Sequence, residues 1–391
     1  MPQIDYEIIV FSEEWNGLPF SCKHLLRNFL PDIPLIWVET IGLRAPTFSA
    51  YDLSRVTKKV INWFCHPSRE NGSEVENLVV MDPIQIPYNQ VALVRNFNKW
   101  ILGKKLKSLL DARSCRDKVV ITTWPFTGNL VGYFGERLNI YYRVDDFSEF
   151  PGVDKKRIAC LEKELIEKVD IVIASAQNLM KGIHIDGKPV KYIPHGVDYE
   201  HFSPKRNDSS KRLPIQEIPT PRIGFFGLIN SWVDLDLLGV VASHHPQWSF
   251  IFIGPSQLPM SSLPKGNNIY YLGKIPYEML PLHAQYFDVG LIPFKVNALT
   301  EAVNPLKMME YFSMGLPVVS TPIPEVLKYK DLVKIASDPK SFGVAIEAAF
   351  KQDSERSRRC RKNLAKRHSW KEKSVYLKRL IEEALEQKNC S

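Results

Sequence analysis

A chain of 391 residues, 45% hydrophobic and 24% charged, exceeds what one hydrophobic core supports and has an ordinary globular composition, so it is read as two folded domains and not as a disordered or low-complexity protein. Its formal charge is +8, and no apolar run approaches the ~20 residues that a membrane span needs. The six cysteines (Cys22, Cys65, Cys115, Cys160, Cys360, Cys390) show no C-x-x-C spacing and follow no signal peptide, so they read as reduced thiols of a cytoplasmic protein and indicate neither zinc nor a disulfide framework.

The chain opens with YEIIVFSEEWNGLPFSCKHLLRNFL, an apolar strand, a loop containing Gly17 and an amphipathic helix, which is a Rossmann-like beginning. The glycine either makes a tight turn or lets the backbone approach a ligand. Further strands follow as LIWVET, LVVMDP, VVITTWP, IYYRVDD and IVIAS, separated by helical stretches such as 90–113 and 154–168. This alternation predicts a parallel sheet covered by helices. Asp145 and Asp146 follow IYYRV at its carboxyl end, where open α/β sheets place ligands and catalytic groups. One of the pair is expected to cap the next element and the other to be essential. The segment KYIPHG carries His195 near its end, an acid–base candidate by residue type and a structural hydrogen-bonding residue by the plainer reading.

At SPKRNDSSKRLPIQEIPTPR, residues 203–222, prolines and polar residues replace apolar periodicity. The expected organisation is therefore a first domain over 1–204, a linker over 205–220, a second domain over 221–368 and a terminal segment over 369–391. The second domain begins with RIGFFG and continues through WSFIFIG, NIYYLG and FDVGLIPF, a second βαβ series. Two Rossmann-like halves in tandem imply a cleft between them.

Residues 297–325, NALTEAVNPLKMMEYFSMGLPVVSTPIPE, read as strand exit, helix and returning strand. Asn304 suits the N-cap, Pro305 the first helical position and Gly315 the C-terminal cap. Lys307 lies in the first turn, where the helix dipole disfavours a cation, so an anion shared with the free N–H groups is indicated. Glu310 follows three residues later on the same face, and its carboxylate can accept two hydrogen bonds from a vicinal diol such as a ribose. The plainer alternative is a solvated Lys307–Glu310 pair worth roughly 0.2–0.5 kcal/mol.

From Lys351 to Lys373 ten basic residues (Lys351, Arg356, Arg358, Arg359, Arg361, Lys362, Lys366, Arg367, Lys371, Lys373) face three acidic ones (Asp353, Glu355, Glu372), a local excess of +7. No zinc-finger or RNP signature accompanies it, so no nucleic-acid partner is expected. An anionic lipid surface or a lipid-diphosphate acceptor fits better, with a solvated helix face as the plain alternative.

The motif PLKMMEYFSMGLPVV resembles the donor-binding helix of GT-B glycosyltransferases of the family-4 type, P-x-K-x-x-E-Y-x-A-x-G-x-P-V-V. YRVDDFSEFPG at 142–152, YIPHGVDYEHFSP at 192–204 and IGFFGLINSWVDLDLL at 223–238 resemble other parts of the same group in the same order. The subgroup most similar builds bacterial surface polysaccharides, as teichuronic-acid-type transferases do. This resemblance implies an α/β protein of GT-B fold, two Rossmann-like domains facing an interdomain cleft, with the C-terminal helix returning to the N-terminal domain. It implies transfer of a sugar from a UDP- or GDP-sugar to a hydroxyl of a cell-surface glycan or lipid-linked acceptor, without metal or other cofactor. The location expected is the cytoplasm, with peripheral placement at the inner face of the plasma membrane as the option that the basic segment 351–373 opens.

Residue by residue, the resemblance assigns donor contact to Gly17, Gly227, Asn230, Asn304, Pro305, Leu306, Lys307 and Glu310, with Lys307 stabilising the leaving diphosphate. The family places Arg and Lys after the turn at Gly227, whereas this chain has Asn230, Trp232 and Asp234. That departure gives Lys307, Lys295 and Arg143 a larger share of the charge, with His195 and Trp232 as further cleft candidates. The retaining pattern carries a glutamate where this chain has Ala302, with Glu301 one residue away. Retention is the expected outcome. Inversion with Asp145 or Asp146 as base, a GT-B-fold nucleotide-sugar epimerase, and a non-catalytic nucleotide- or lipid-binding scaffold are the alternatives.

Overall fold

The computed structural model of the chain describes residues 5–17, 20–40, 71–72, 75–83, 85–86, 89, 91–111, 113, 116–183, 188–203 and 213–390. Two compact units divide it: Met1–Pro194 with Lys373–Ser391, and His195–Glu372. Residues 195–202, expected with the first domain, thus group with the second, and Phe202 is fully buried in the second unit's core. Of the expected linker, the described part from residue 213 supplies Ile215 to that core.

The first unit is built on β1 (Tyr6–Ser12), β2 (Leu35–Glu39), β3 (Asn71–Gly72), β4 (Leu78–Met81), β5 (Asp117–Thr122), β6 (Leu138–Arg143), β7 (Ile171–Ala174) and β8 (Val190–Tyr192). The sheet order is β3-β4-β2-β1-β5-β6-β7-β8, parallel except for β3 against β4. All of β1 is buried, as a central strand covered on both faces must be. Among its helices, α1 spans Ser21–Leu26, α2 Ala92–Asp111 and α3 Lys155–Lys168. Leu102, Leu106 and Leu110 of α2 repeat every four residues and pack on Ile9, Phe11, Ile36 and Val38. Asp154 caps α3 by accepting from the Arg157 N–H at 3.0 Å. Because the chain lays β2 and β4 on one side of β1 and returns with β5 on the other, the switch point lies between β1 and β5.

The second unit repeats the logic with β9 (Arg222–Phe226), α4 (Leu235–His244), β10 (Ser249–Ile253), β11 (Ile269–Gly273), β12 (Val289–Ile292), α5 (Leu306–Met314), β13 (Val318–Ser320), β14 (Val333–Ile335), α6 (Pro339–Lys351) and α7 (Glu355–Arg367). Its sheet is wholly parallel, in the order β11-β10-β9-β12-β13-β14, and its switch point lies between β9 and β12. The last helix, α8 (Trp370–Cys390), begins in this unit and from Lys373 onward belongs to the first. There Leu377, Ile381 and Leu385 are buried, Ser374 donates to the Leu25 carbonyl, and Lys378 pairs with Asp32 at 3.0 Å. The C-terminal helix therefore returns to the N-terminal domain.

Candidate functional site

α5 starts one residue later than its sequence suggests: Pro305 is extended (φ −74°, ψ 111°) and occupies the cap, so Asn304 lies just outside. Pro305 supplies no side-chain acceptor, and the first N–H groups of the helix are left for a ligand. Gly315 closes the other end in the left-handed conformation, φ 81°. Tyr311 fixes the helix to the sheet. Its ring lies against Gly290, where a Cβ would approach to 2.6 Å, and its hydroxyl lies 3.3 Å from the Leu291 carbonyl.

This placement brings Lys307 to the carboxyl end of β9, at the switch point. Its Nζ lies 5.7 Å from the centre of the Phe225 ring, and its chain crosses Gly227, whose φ of 134° and lack of Cβ permit the approach. Lys307 and Glu310 are both half-buried, and neither forms a salt bridge among the described residues. The solvated pair is thus not what the structure holds. Desolvation lowers the Lys307 pKa despite Glu310, and raises that of Glu310 to about 7 despite Lys307. Two partly dehydrated charged groups without a salt-bridge partner favour a ligand that brings an anion to one and hydroxyl donors to the other.

The loops leaving β9 and β12 are joined here. Val233 bridges Phe294, the Lys295 N–H donates to the Trp232 carbonyl at 2.8 Å, and the Asp234 N–H donates to the Pro293 carbonyl at 2.7 Å. Lys295 is exposed and remains a candidate cation, whereas Trp232 is half-buried against the core. Asn230 is buried; its Oδ1 accepts from the Ser231 N–H at 2.6 Å and its Nδ2 donates to Gln257. Its side chain therefore holds the loop in shape instead of meeting a donor. Glu301 ends the one-turn helix Ala298–Glu301, which Asn297 caps through Thr300; it is exposed while Ala302 is buried.

His195 is buried, its Nδ1 has no hydrogen-bond partner, and desolvation lowers its pKa to about 4. It is neutral at physiological pH. Its neighbours explain the burial: the Val197 N–H donates to the His368 carbonyl at 3.0 Å, and a Cβ on Gly196 would stand 2.8 Å from the Trp370 ring.

In the first unit, Asp145 and Asp146 separate cleanly. Asp146 caps the turn Phe147–Glu149, accepting from the Ser148 N–H at 3.1 Å and its Oγ at 2.6 Å. Asp145 makes no hydrogen bond among the described residues, and its pKa is raised to about 7, first by desolvation and then by the charges of Glu13 and Asp146. Glu13, which sequence reasoning passed over, follows β1; its carboxyl is likewise raised by burial and accepts from Ser12 Oγ at 2.5 Å, while Ser12 Oγ lies 3.1 Å from Thr123 Oγ1. Ser12 and Thr123 sit at the ends of β1 and β5, so Glu13 marks this unit's switch point. The one available signal was an acidic residue directly after the first buried strand.

Arg143 is a correction to the charge reading. Burial and a two-point contact with Glu162 (2.9 and 2.7 Å) engage its guanidinium, and a third N–H donates to the Leu179 carbonyl at 2.5 Å. Three of its five N–H donors are thus committed inside this unit, and its charge is met by Glu162 before any diphosphate could claim it. Gly17 stands in a turn, its N–H donating to the Glu14 carbonyl at 3.0 Å; neighbouring Leu18 lies outside the described residues. In the basic segment, Arg361 is buried and bonded to the Gly315 carbonyl (2.7 Å) and Asp353 (2.6 Å), and Arg358 also pairs with Asp353. Those two cations are structural.

Comparison with known proteins agrees with this geometry. Residues 220–352 match the family Glycosyl transferases group 1. The putative teichuronic acid biosynthesis glycosyltransferase TuaH of Bacillus subtilis (strain 168) is 27% identical over 236 residues, so that 55% of this chain is matched and the chain spans 57% of that relative. Among solved structures, HepE of Anabaena in complex with UDP and glucose superposes with a TM-score of 0.68 at 12% identity, covering 97% of this chain and 100% of that one. An α,α-trehalose-phosphate synthase (UDP-forming) from Burkholderia xenovorans in complex with glucose-6-phosphate gives 0.65 at 12%, covering 97% and 99%. The fold is therefore that of the GT-B glycosyltransferases. Within it, the helix carrying Lys307 and Glu310 lies inside the stretch 220–352 that matches the group 1 glycosyl transferases.

Proposed function

We propose that the protein is a glycosyltransferase that moves a sugar from a UDP- or GDP-sugar to a hydroxyl of a surface glycan or lipid-linked acceptor. The observation that carries this reading is the pair Lys307 and Glu310, dehydrated and unpaired, at the uncapped start of α5 and beside Gly227. Lys307 and the helix N–H groups would take the charge that develops on the departing diphosphate, so neither a metal nor another cofactor is required. Glu310 would accept from the ribose diol.

Retention of configuration is the outcome expected of a family-4-like donor site. Inversion is the second reading, and one observation favours it: Asp145 is free of capping duty and has a carboxyl pKa of about 7, near the optimum for a general base. The epimerase and scaffold alternatives predict no transfer to an acceptor. Placement at the inner face of the plasma membrane, with 351–373 toward anionic headgroups, accords with a lipid-linked acceptor; no described helix is long and apolar enough to cross a membrane.

The test is a thermal-shift screen of purified protein against nucleotide sugars, followed by product analysis with the donor that stabilises it. Stabilisation by a UDP- or GDP-sugar that survives EDTA supports the proposal. A flat response to every donor overturns it.

A further inference from the structure

Helix α2 carries apolar residues on two sides. One stripe, Leu102, Leu106 and Leu110, is buried on the sheet. The other is not: among the described residues Leu93 is 82% exposed, Trp100 59% and Phe97 46%, and these positions follow the i, i+4, i+7 spacing of a single helix face. Phe97 and Trp100 touch each other, their ring centres 6.1 Å apart, and form one patch instead of scattered side chains. Val91, 49% exposed, precedes them.

The same face continues into charge. Lys104 and Lys107 extend the stripe and are exposed, Lys107 with its ammonium 4.2 Å from the centre of the Tyr133 ring, and half-buried Lys105 stands beside them. The helix bears only one acidic residue, Asp111, in its last position. Aromatic groups leading and lysines trailing suit the boundary between headgroups and acyl chains, where Trp and Phe bury shallowly and Lys meets anionic phosphate. A protein partner fits less well, since lysine is depleted from such interfaces and no acidic residue stands ready to be exchanged across one.

We propose that this face of α2 docks on an anionic bilayer, with Leu93, Phe97 and Trp100 entering the interface and the lysines reading headgroup phosphate. The basic segment 351–373 lacks such an anchor: no large apolar side chain among its described residues is exposed, and Arg358 and Arg361 are held by Asp353. Charge alone is available there, whereas α2 offers charge and insertion together. The docking face rests on exposure and sequence pattern, independently of the transferase reading.

The experiment is vesicle flotation of the full chain with phosphatidylcholine alone and with phosphatidylcholine mixed with phosphatidylglycerol. Wild type should float with the mixed vesicles only, and less as salt rises. Phe97→Ser with Trp100→Ser should lower binding roughly tenfold or more, and each of Lys104→Glu and Lys107→Glu roughly fivefold, from the ~1 kcal/mol per basic residue near such a surface. These side chains are exposed, so donor stabilisation should stay at wild-type values in every variant, and thermal melts should too except for Lys107→Glu, which loses its contact with Tyr133. Binding that survives the aromatic pair, or wild type that floats with neither vesicle, overturns the proposal. So does a fall in sedimentation mass of the vesicle-free variant, which would mark the face as a protein interface.

Discussion

A Cβ placed on Gly227 would stand 2.4 Å from Cε and 2.6 Å from Nζ of Lys307. The glycine is thus part of the lysine's site, because only a bare backbone lets the ammonium cross the end of β9.

Lys307→Met should abolish stabilisation by the nucleotide sugar in thermal shift. Because burial disfavours the lysine's charge, the ligand-free variant should melt no lower than wild type. Gly227→Ala should lose the same stabilisation and in addition cost about 1–3 kcal/mol of folding stability, from backbone strain at φ 134° together with the displaced lysine. A Lys307→Met variant still shifted by its donor would remove the anion role.

The two neighbouring aspartates should behave oppositely. Asp146→Ala should lower stability by about 1 kcal/mol through loss of the cap on Ser148, with turnover largely kept. If Asp145 is the base, Asp145→Asn should lower kcat by roughly 10²–10⁴-fold, and wild-type kcat at saturating donor should rise as pH passes through about 7. Its raised pKa means the folded state holds a proton that the unfolded state releases, so stability contributed at this site falls as pH climbs from about 4 to about 7. Asp145→Asn should therefore melt higher than wild type at pH 8. Analysis of the product anomer by NMR decides between retention and inversion directly.

Arg143 and Glu162 form a buried two-point pair, and removing one partner strands the other. Arg143→Met should destabilise the protein by about 3–5 kcal/mol in chemical denaturation. The fraction that remains folded should bind donor as wild type does. A selective loss of donor affinity without destabilisation would instead restore Arg143 to the diphosphate.

His195 is neutral in the folded state down to about pH 4 but titrates at ordinary values when unfolded. The unfolded chain therefore binds the extra proton, and stability is lost as pH falls from about 6.5 toward 4. His195→Asn should flatten that slope while leaving the pH profile of turnover near neutrality unchanged. A shifted turnover profile would reassign His195 to proton transfer.

Much of the architecture is legible in local pattern. The buried runs at Ile8–Phe11, Val119–Ile121 and Phe250–Ile253 announce central parallel strands, and Pro305, Lys307, Glu310 and Gly315 mark an anion-facing helix before any contact is known. What escaped depends on residues far apart in sequence. Arg143 looks like a free cation until Glu162 on α3 is folded against it, and Asn230 looks available until Gln257 claims its amide. Glu13 acquires its meaning only from Asp145, which a different strand delivers. α2 hides its second apolar stripe for a related reason: hydrophobic residues on both sides blur the periodicity from which one buried face is read.

The bond from Arg361 to the Gly315 carbonyl sets a practical limit on how this protein can be cut. The stretch 220–352 looks like a complete module, yet taken alone it would lack the guanidinium that closes α5 from behind, and it would lack Phe202, which lies under Phe226. A chimera that exchanges donor specificity between relatives must carry 195–372 as one piece. A shorter graft would import the right pocket residues on a helix whose closing Gly315 carbonyl has lost its guanidinium partner.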